Sequence, residues 1–141
     1  MLKPYFIEDY LKEFRTEWAV EMPAGCPPID IMVPFAHSFF CLAKKSTTSC
    51  EASDFVSYAE IDPNKNWGNQ LPLAVGLSLL DNEEKARKSL KLPFFKQFKG
   101  VIVLLLNPTD GVVKQTGSHR LHYTWWRTKS FDMSNLKMLE L

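Results

Sequence analysis

The chain has 141 residues, 45% hydrophobic and 23% charged, the proportions of one folded domain and not of a disordered segment. Its longest uninterrupted apolar run, Val101 to Leu106, has the length of a strand and is far too short for a membrane helix. The net charge of +1 hides a split: residues 1–84 hold 6 Lys/Arg and 13 Asp/Glu (net −7), and residues 85–141 hold 11 Lys/Arg and 3 Asp/Glu (net +8). Such asymmetry suggests either a polyanion-binding face or two halves whose charges interleave on one body.

In chain order, residues 4–21 read as an amphipathic helix, with Ile7, Leu11, Phe14 and Trp18 on one stripe and Glu8 and Asp9 in the first turn. Pro23, Gly25, Pro27 and Pro28 end it. Ile29–Phe35 and His37–Ala43 read as strands, followed by a polar loop from Lys44 to Ser53. A short helix capped by Ser53 or Asp54 is expected to reach Glu60. Residues 62–72 are loop-like, and Trp67 stands alone in them. Ala74–Leu80 reads as a strand. Asp81 with Glu84 forms a capping-box pattern ahead of a helix from Asn82 to Leu90. Phe94, Phe95 and Phe98 suggest a turn that buries aromatics. Val101–Asn107 is apolar on both faces, which predicts a central strand covered on both sides. The Asn107–Gly111 turn then returns the chain as a partner strand, Val112–Thr116. A further turn at Gly117-Ser118 leads to a strand from Arg120 to Thr128. The tail predicts a short helix from Asp132. The fold class expected is α+β: a single compact domain over residues 1–141, a mixed or largely antiparallel sheet, an N-terminal amphipathic helix and a helix before the central strand.

Function is much less legible. The segment Thr116–Arg127 concentrates polar and aromatic residues. Strand alternation puts Leu121, Tyr123 and Trp125 on a core face and His122, Thr124 and Trp126 on the other, an imidazole, a hydroxyl and an indole in a row. With Asp54, His37 and Tyr58 these are the candidate ligand-binding residues. No metal is expected: His119 and His122 are three apart on a strand and face opposite ways, and Cys26, Cys41 and Cys50 have no C-x-x-C spacing. No phosphate loop, nucleophile elbow or H-E-x-x-H helix occurs, so no cofactor is expected. The cysteines read as reduced thiols. With no leader pattern at Met1, the expected compartment is the cytoplasm.

The pattern Asp54-Phe55-x-Ser57, Gly76-Leu77-Ser78 and His122-x-Thr124-Trp125-Trp126 resembles the layout of small, uncharacterised bacterial proteins over roughly residues 30–130. That resemblance implies that these positions act together, with no activity attached. Three functional expectations follow. The first is a binding module that docks a partner, a protein before a nucleic acid, through a basic, aromatic C-terminal half including Lys96, Lys99 and Arg127. The second is an enzyme on nucleotides with an ADP-ribosyltransferase-like architecture, an analogy of fold alone, for which His37, Tyr58, Glu60 and His122 are the available polar groups. The third is head-to-tail self-association of the acidic and basic halves.

Overall fold

The computed structural model describes residues 1–44, 49–133 and 136–141. The strands are β1 (Leu2–Phe6), β2 (Asp30–Pro34), β3 (His37–Ala43), β4 (Leu77–Leu80), β5 (Gly100–Leu106), β6 (Gly111–Gln115), β7 (His122–Arg127) and β8 (Lys137–Met138). The helices are α1 (Ile7–Glu13), α2 (Tyr58–Ile61), α3 (Leu71–Ala74) and α4 (Glu83–Ser89). All eight strands join one antiparallel, curled sheet in the order β1-β2-β6-β7-β4-β3-β5-β8. The fold is α+β, as the sequence predicts. No described helix is long and apolar enough to cross a membrane.

That order shows how the two halves of the sequence share the sheet. Strands of the acidic stretch (β1, β2, then β4, β3) alternate in pairs with strands of the basic stretch (β6, β7, then β5, β8). The two halves of the sequence are therefore interleaved. Lys114 reaches Asp30 across the β2–β6 boundary, and Lys129 approaches Glu17 at 3.8 Å. Exposed pairs of this kind contribute about 1 kcal/mol at most, so they follow the fold more than they drive it.

The sheet buries side chains on both faces, and β7 shows it most clearly. Trp125 and Trp126 are neighbours, so they point to opposite faces, and both are fully buried. Trp125 belongs to a core with Phe39, Cys41, Leu79, Ile102 and Leu104, closed by Phe55 and Phe131. Trp126 belongs to a second core with Tyr10, Ile31, Val33 and Val112. We call these face A and face B. The sequence alone offers face B of β7 to a ligand. The structure corrects this, because α1 and the segment after it cover that face at Trp126.

The N-terminal segment departs most from the expectation. Only residues 7–13 are helical, and residues 2–6 pair with β2 as an edge strand, where Pro4 is tolerated because its missing donor faces outward. Past Phe14 the chain is extended: Trp18 bridges Thr128, and Ala19 and Lys129 donate to the carbonyls of Arg127 and Glu17. The apolar stripe exists, but Tyr10 anchors it and Leu11 is exposed. Phe14, Thr16 and Trp18 have modest helix propensity, and sheet pairing outweighs the helical periodicity there.

Other boundaries shift for local reasons. β5 is not central: only the two residues of β8 lie beyond it, and Leu105 is exposed. Its partner across the sheet is β3, and β6 pairs with β2 and β7 instead of with β5. The cap of α4 is Asn82, whose side chain accepts from the Lys85 amide, while Asp81 is taken by His37. Ser57 caps α2, and residues 52–55 form a separate single turn. Phe94 is exposed, not buried. The tail ends in β8; part of the predicted tail helix, at residues 134–135, and part of the loop expected at 44–53, at residues 45–48, lie outside the described residues.

The Asn107–Gly111 turn ties the two cores together. The carbonyl of Pro108 accepts from Tyr10 Oη (2.6 Å), that of Thr109 from Thr128 Oγ1 (2.6 Å) and Ser130 Oγ (2.8 Å), and that of Asp110 from Trp125 Nε1 (3.1 Å). Three successive carbonyls are thus satisfied by side chains from distant segments. Gly111 completes the turn at φ 127°, pressed against the Trp126 backbone, where a Cβ would collide with the Trp126 carbonyl. Replacing Gly111 with Ala should cost about 2–4 kcal/mol from strain and collision together. Gly25→Ala, with positive φ but open space around it, should cost about 1 kcal/mol. Urea unfolding of both variants checks the difference; equal losses would contradict it.

Burial also sets an alkaline limit. It raises the Cys26 thiol to about 11, the Cys41 thiol to about 12 and the Tyr10 phenol to about 12. The unfolded chain releases these protons nearer 9.0 for the thiols and 10.0 for the phenol. Their contribution to stability is therefore complete below about pH 9 and is lost as pH rises toward the folded values. Under reducing conditions the urea midpoint should fall between about pH 9 and 11; a flat profile would count against these burials.

Candidate functional site

Face B is sealed near Trp126 but open over β3 and β4. On β3, Phe39, Cys41 and Ala43 are buried toward face A, whereas Phe40 and Leu42 are only half-buried. On β4, Leu77 and Leu79 are buried, Leu80 is half-buried and Ser78 is exposed. An exposed serine is unusual on a strand flanked on both sides, here by β7 and β3. These residues floor a cavity of about 460 Å³. Its walls are Lys85 and Ser89 of α4, Phe95 and Phe98 from the following turn, the Asp54–Tyr58 segment, and the Gly117–His119 turn.

The sequence folds this way for identifiable reasons. Ala86 and Ser89 give α4 a small buried surface, and Ser89 Oγ donates to the Lys85 carbonyl (2.8 Å), so the helix packs close on β3 and β4. Pro93 then stops helical pairing and starts the turn in which Phe95 and Phe98 meet at 5.9 Å.

His122 is the best-defined polar group on the cavity wall. Its Nδ1 lies 3.0 Å from the Thr116 carbonyl and 3.2 Å from Thr116 Oγ1, which contacts Thr124 Oγ1 at 2.7 Å. A carbonyl can only accept, so the neutral ring carries its proton on Nδ1, and Nε2 keeps its lone pair. No described residue forms a hydrogen bond to Nε2 within the protein. A ring held this way can accept a hydrogen bond from a ligand or take a proton from it. Ser78 pairs with Thr124 in register, which makes it a diagonal neighbour of His122 on the same face.

The other candidates divide. Asp54 lines the cavity, but it is buried and its two oxygens accept the Lys44 and Glu51 amides, both at 2.8 Å; its work is to clamp the loop. Tyr58 sits exposed on the cavity wall at the start of α2. Thr124 and Trp126 are core residues outside the cavity; the Trp126 N–H is used on the Pro72 carbonyl (2.9 Å). His37 is on face A, with Nε2 2.7 Å from Asp81 Oδ1 and its ring against Phe39, so it does not meet His122. Lys96 and Lys99 are exposed, but two strands separate Lys99, next to β5, from Arg127 on β7. Arg127 is half-buried with Nε unpartnered; burial lowers its pKa and Glu60 opposes that. These three cations do not form one surface patch. Among the described residues no cluster of three His, Cys, Asp or Glu is placed to hold a metal.

Sequence reasoning missed Lys44, Lys85 and the role of Phe40 and Leu42, and it named Ser78 only within the resemblance, not among the ligand-binding candidates. Ser78 did leave a signal, as the one polar residue inside an apolar strand.

The assignment of Asp54 as a clamp is testable. Asp54→Asn can satisfy only one of the two amides with its oxygen and should cost about 1–3 kcal/mol. Unchanged urea stability would show that the carboxylate is not holding the loop.

Comparison with known proteins adds nothing further: no family model, no curated protein and no solved structure matches this chain.

Proposed function

We propose that this protein is a small-molecule-binding module whose ligand occupies the face B cavity between β3, β4, α4 and the Phe95–Phe98 turn. The observation that carries the reading is the uncovered mid-sheet floor, where Phe40, Leu42, Ser78 and Leu80 stay partly exposed while face A beneath them is sealed. An apolar cavity of a few hundred cubic ångströms with a small number of polar groups is the usual form of a ligand site. Covering such a floor is favourable by roughly 25 cal/mol for each Å² of apolar surface removed from water.

Docking of a protein partner through the aromatic C-terminal half has less support, since Trp125 and Trp126 are buried and only Phe94 stands fully outside. Self-association of opposed halves also has less, since strands of the two halves alternate in pairs along one sheet. A nucleotide-directed enzyme is the second reading. The orientation of His122 favours it; the continuous sheet, in place of a split one, does not. Three free thiols fit a reducing, cytoplasmic setting.

Nile red, a neutral apolar dye, tests the cavity. It should fluoresce strongly with the wild-type protein and raise its melting temperature, as any ligand of the folded state does. Ser78→Trp, at an exposed position, should fold normally and abolish both effects by filling the space. Equal dye binding by the folded variant, or no binding by the wild type, would overturn the proposal.

A further inference from the structure

We infer that the ligand of this cavity is an anionic amphiphile: an apolar body lying against Phe40, Phe95 and Phe98, and a carboxylate or phosphate head held by Lys44 or Lys85. This rests on the small-molecule reading above and specifies its ligand.

The argument begins with the charges on α4. Arg87 pairs with Glu83 (3.1 Å) and Lys88 with Glu84 (3.0 Å), each one turn apart. Lys85 breaks this pattern. The acid one turn before it, Asp81, is bound to His37 on the other face of the sheet, and the residue one turn after it is Ser89. Lys85 is half-buried on the cavity wall and, among the described residues, has no carboxylate within ion-pairing distance. Lys44, at the end of β3, is in the same position: half-buried, lining the cavity, with no ion-pair partner among the described residues.

The one acid on the wall does not neutralise them. Asp54 turns its two oxygens to backbone amides, one of them the amide of Lys44 itself. Among the described residues, the remaining polar side chains there are neutral hydroxyls, the Cys41 thiol and the imidazoles of His119 and His122. Two cations without a carboxylate partner among the described residues, in a lining that also holds aromatic rings and is net positive, complement a negative head on an apolar body. Partial burial strengthens their attraction relative to an exposed pair.

The test compares decanoate, decyl phosphate and decanol, which share a tail and differ in the head, by calorimetric titration of the full chain. At least one anion should bind about tenfold or more tightly than decanol, the factor a single charge-assisted contact supplies. Lys44→Met with Lys85→Met should remove that preference and leave decanol binding intact, which also shows that the variant is folded. Ser78→Trp should remove binding of all three. If decanol binds the wild type as tightly as both anions, the anionic head is wrong and the cavity reading stands. If none of the three binds, the cavity reading falls and takes this inference with it. If the anions bind Ser78→Trp unchanged, they sit elsewhere and the inference is overturned.

Discussion

Two adjacent tryptophans on one strand cannot share a side of a sheet. Trp125 and Trp126 are both fully buried, so the sheet must carry a core on each face where β7 runs. Each indole also has one N–H that burial obliges it to satisfy, and each finds a loop carbonyl: Asp110 for Trp125, Pro72 for Trp126. The rest of the architecture can be read as the answer to this demand. On face A the sheet curls over Trp125 and is closed by Phe55 and Phe131. On face B the chain before β2 is drawn across Trp126, and Tyr10 is the residue that fills it.

The cover on face B is incomplete, and the incompleteness lies in the middle of the sheet. α1 and the extended segment through Trp18 reach as far as β7. α4 lies on β3 and β4, but it is a short helix whose buried contacts are alanine and serine. Between these two covers is the floor made by Phe40, Leu42, Ser78 and Leu80. A sheet stabilised on its other face can leave such a gap at modest cost, because face A supplies most of the packing. The same gap gathers two lysines, aromatic rings and His122 around one space, so fold and site have one origin.

Much of the fold was legible because it rests on local patterns. The strands at residues 30–34, 37–43 and 122–127 and the helix before β5 follow from alternation, capping and turn residues. The misreadings share a cause: periodicity reports which residues are apolar, but not what covers them. Residues 14–18 keep a helical spacing and are nevertheless extended, because pairing with residues 127–129 offers their backbone a better set of partners. β5 is apolar on both faces and still lies next to an edge, because β8 is so short. The site was half legible. His122 stood out by type and position. Ser78 showed only as a polar residue inside an apolar strand, and Lys44 and Lys85 matter only because distant segments meet over one strand, which no spacing along the chain encodes. Trp126 drew attention for the opposite reason: an indole on a strand looks the same in sequence whether it greets a ligand or fills a core.

The central claim is that the working space lies on face B beside His122, and not on face A beside His37. Imidazole nitrogen NMR during titration with decanol tests it most directly, because the two rings lie on opposite sides of the sheet. In the free protein the neutral His122 should be the Nδ1–H tautomer, and its Nε2 resonance should move as the cavity fills while His37, locked to Asp81, stays in place. A response at His37 with none at His122, or an Nε2–H tautomer at His122, would contradict the account.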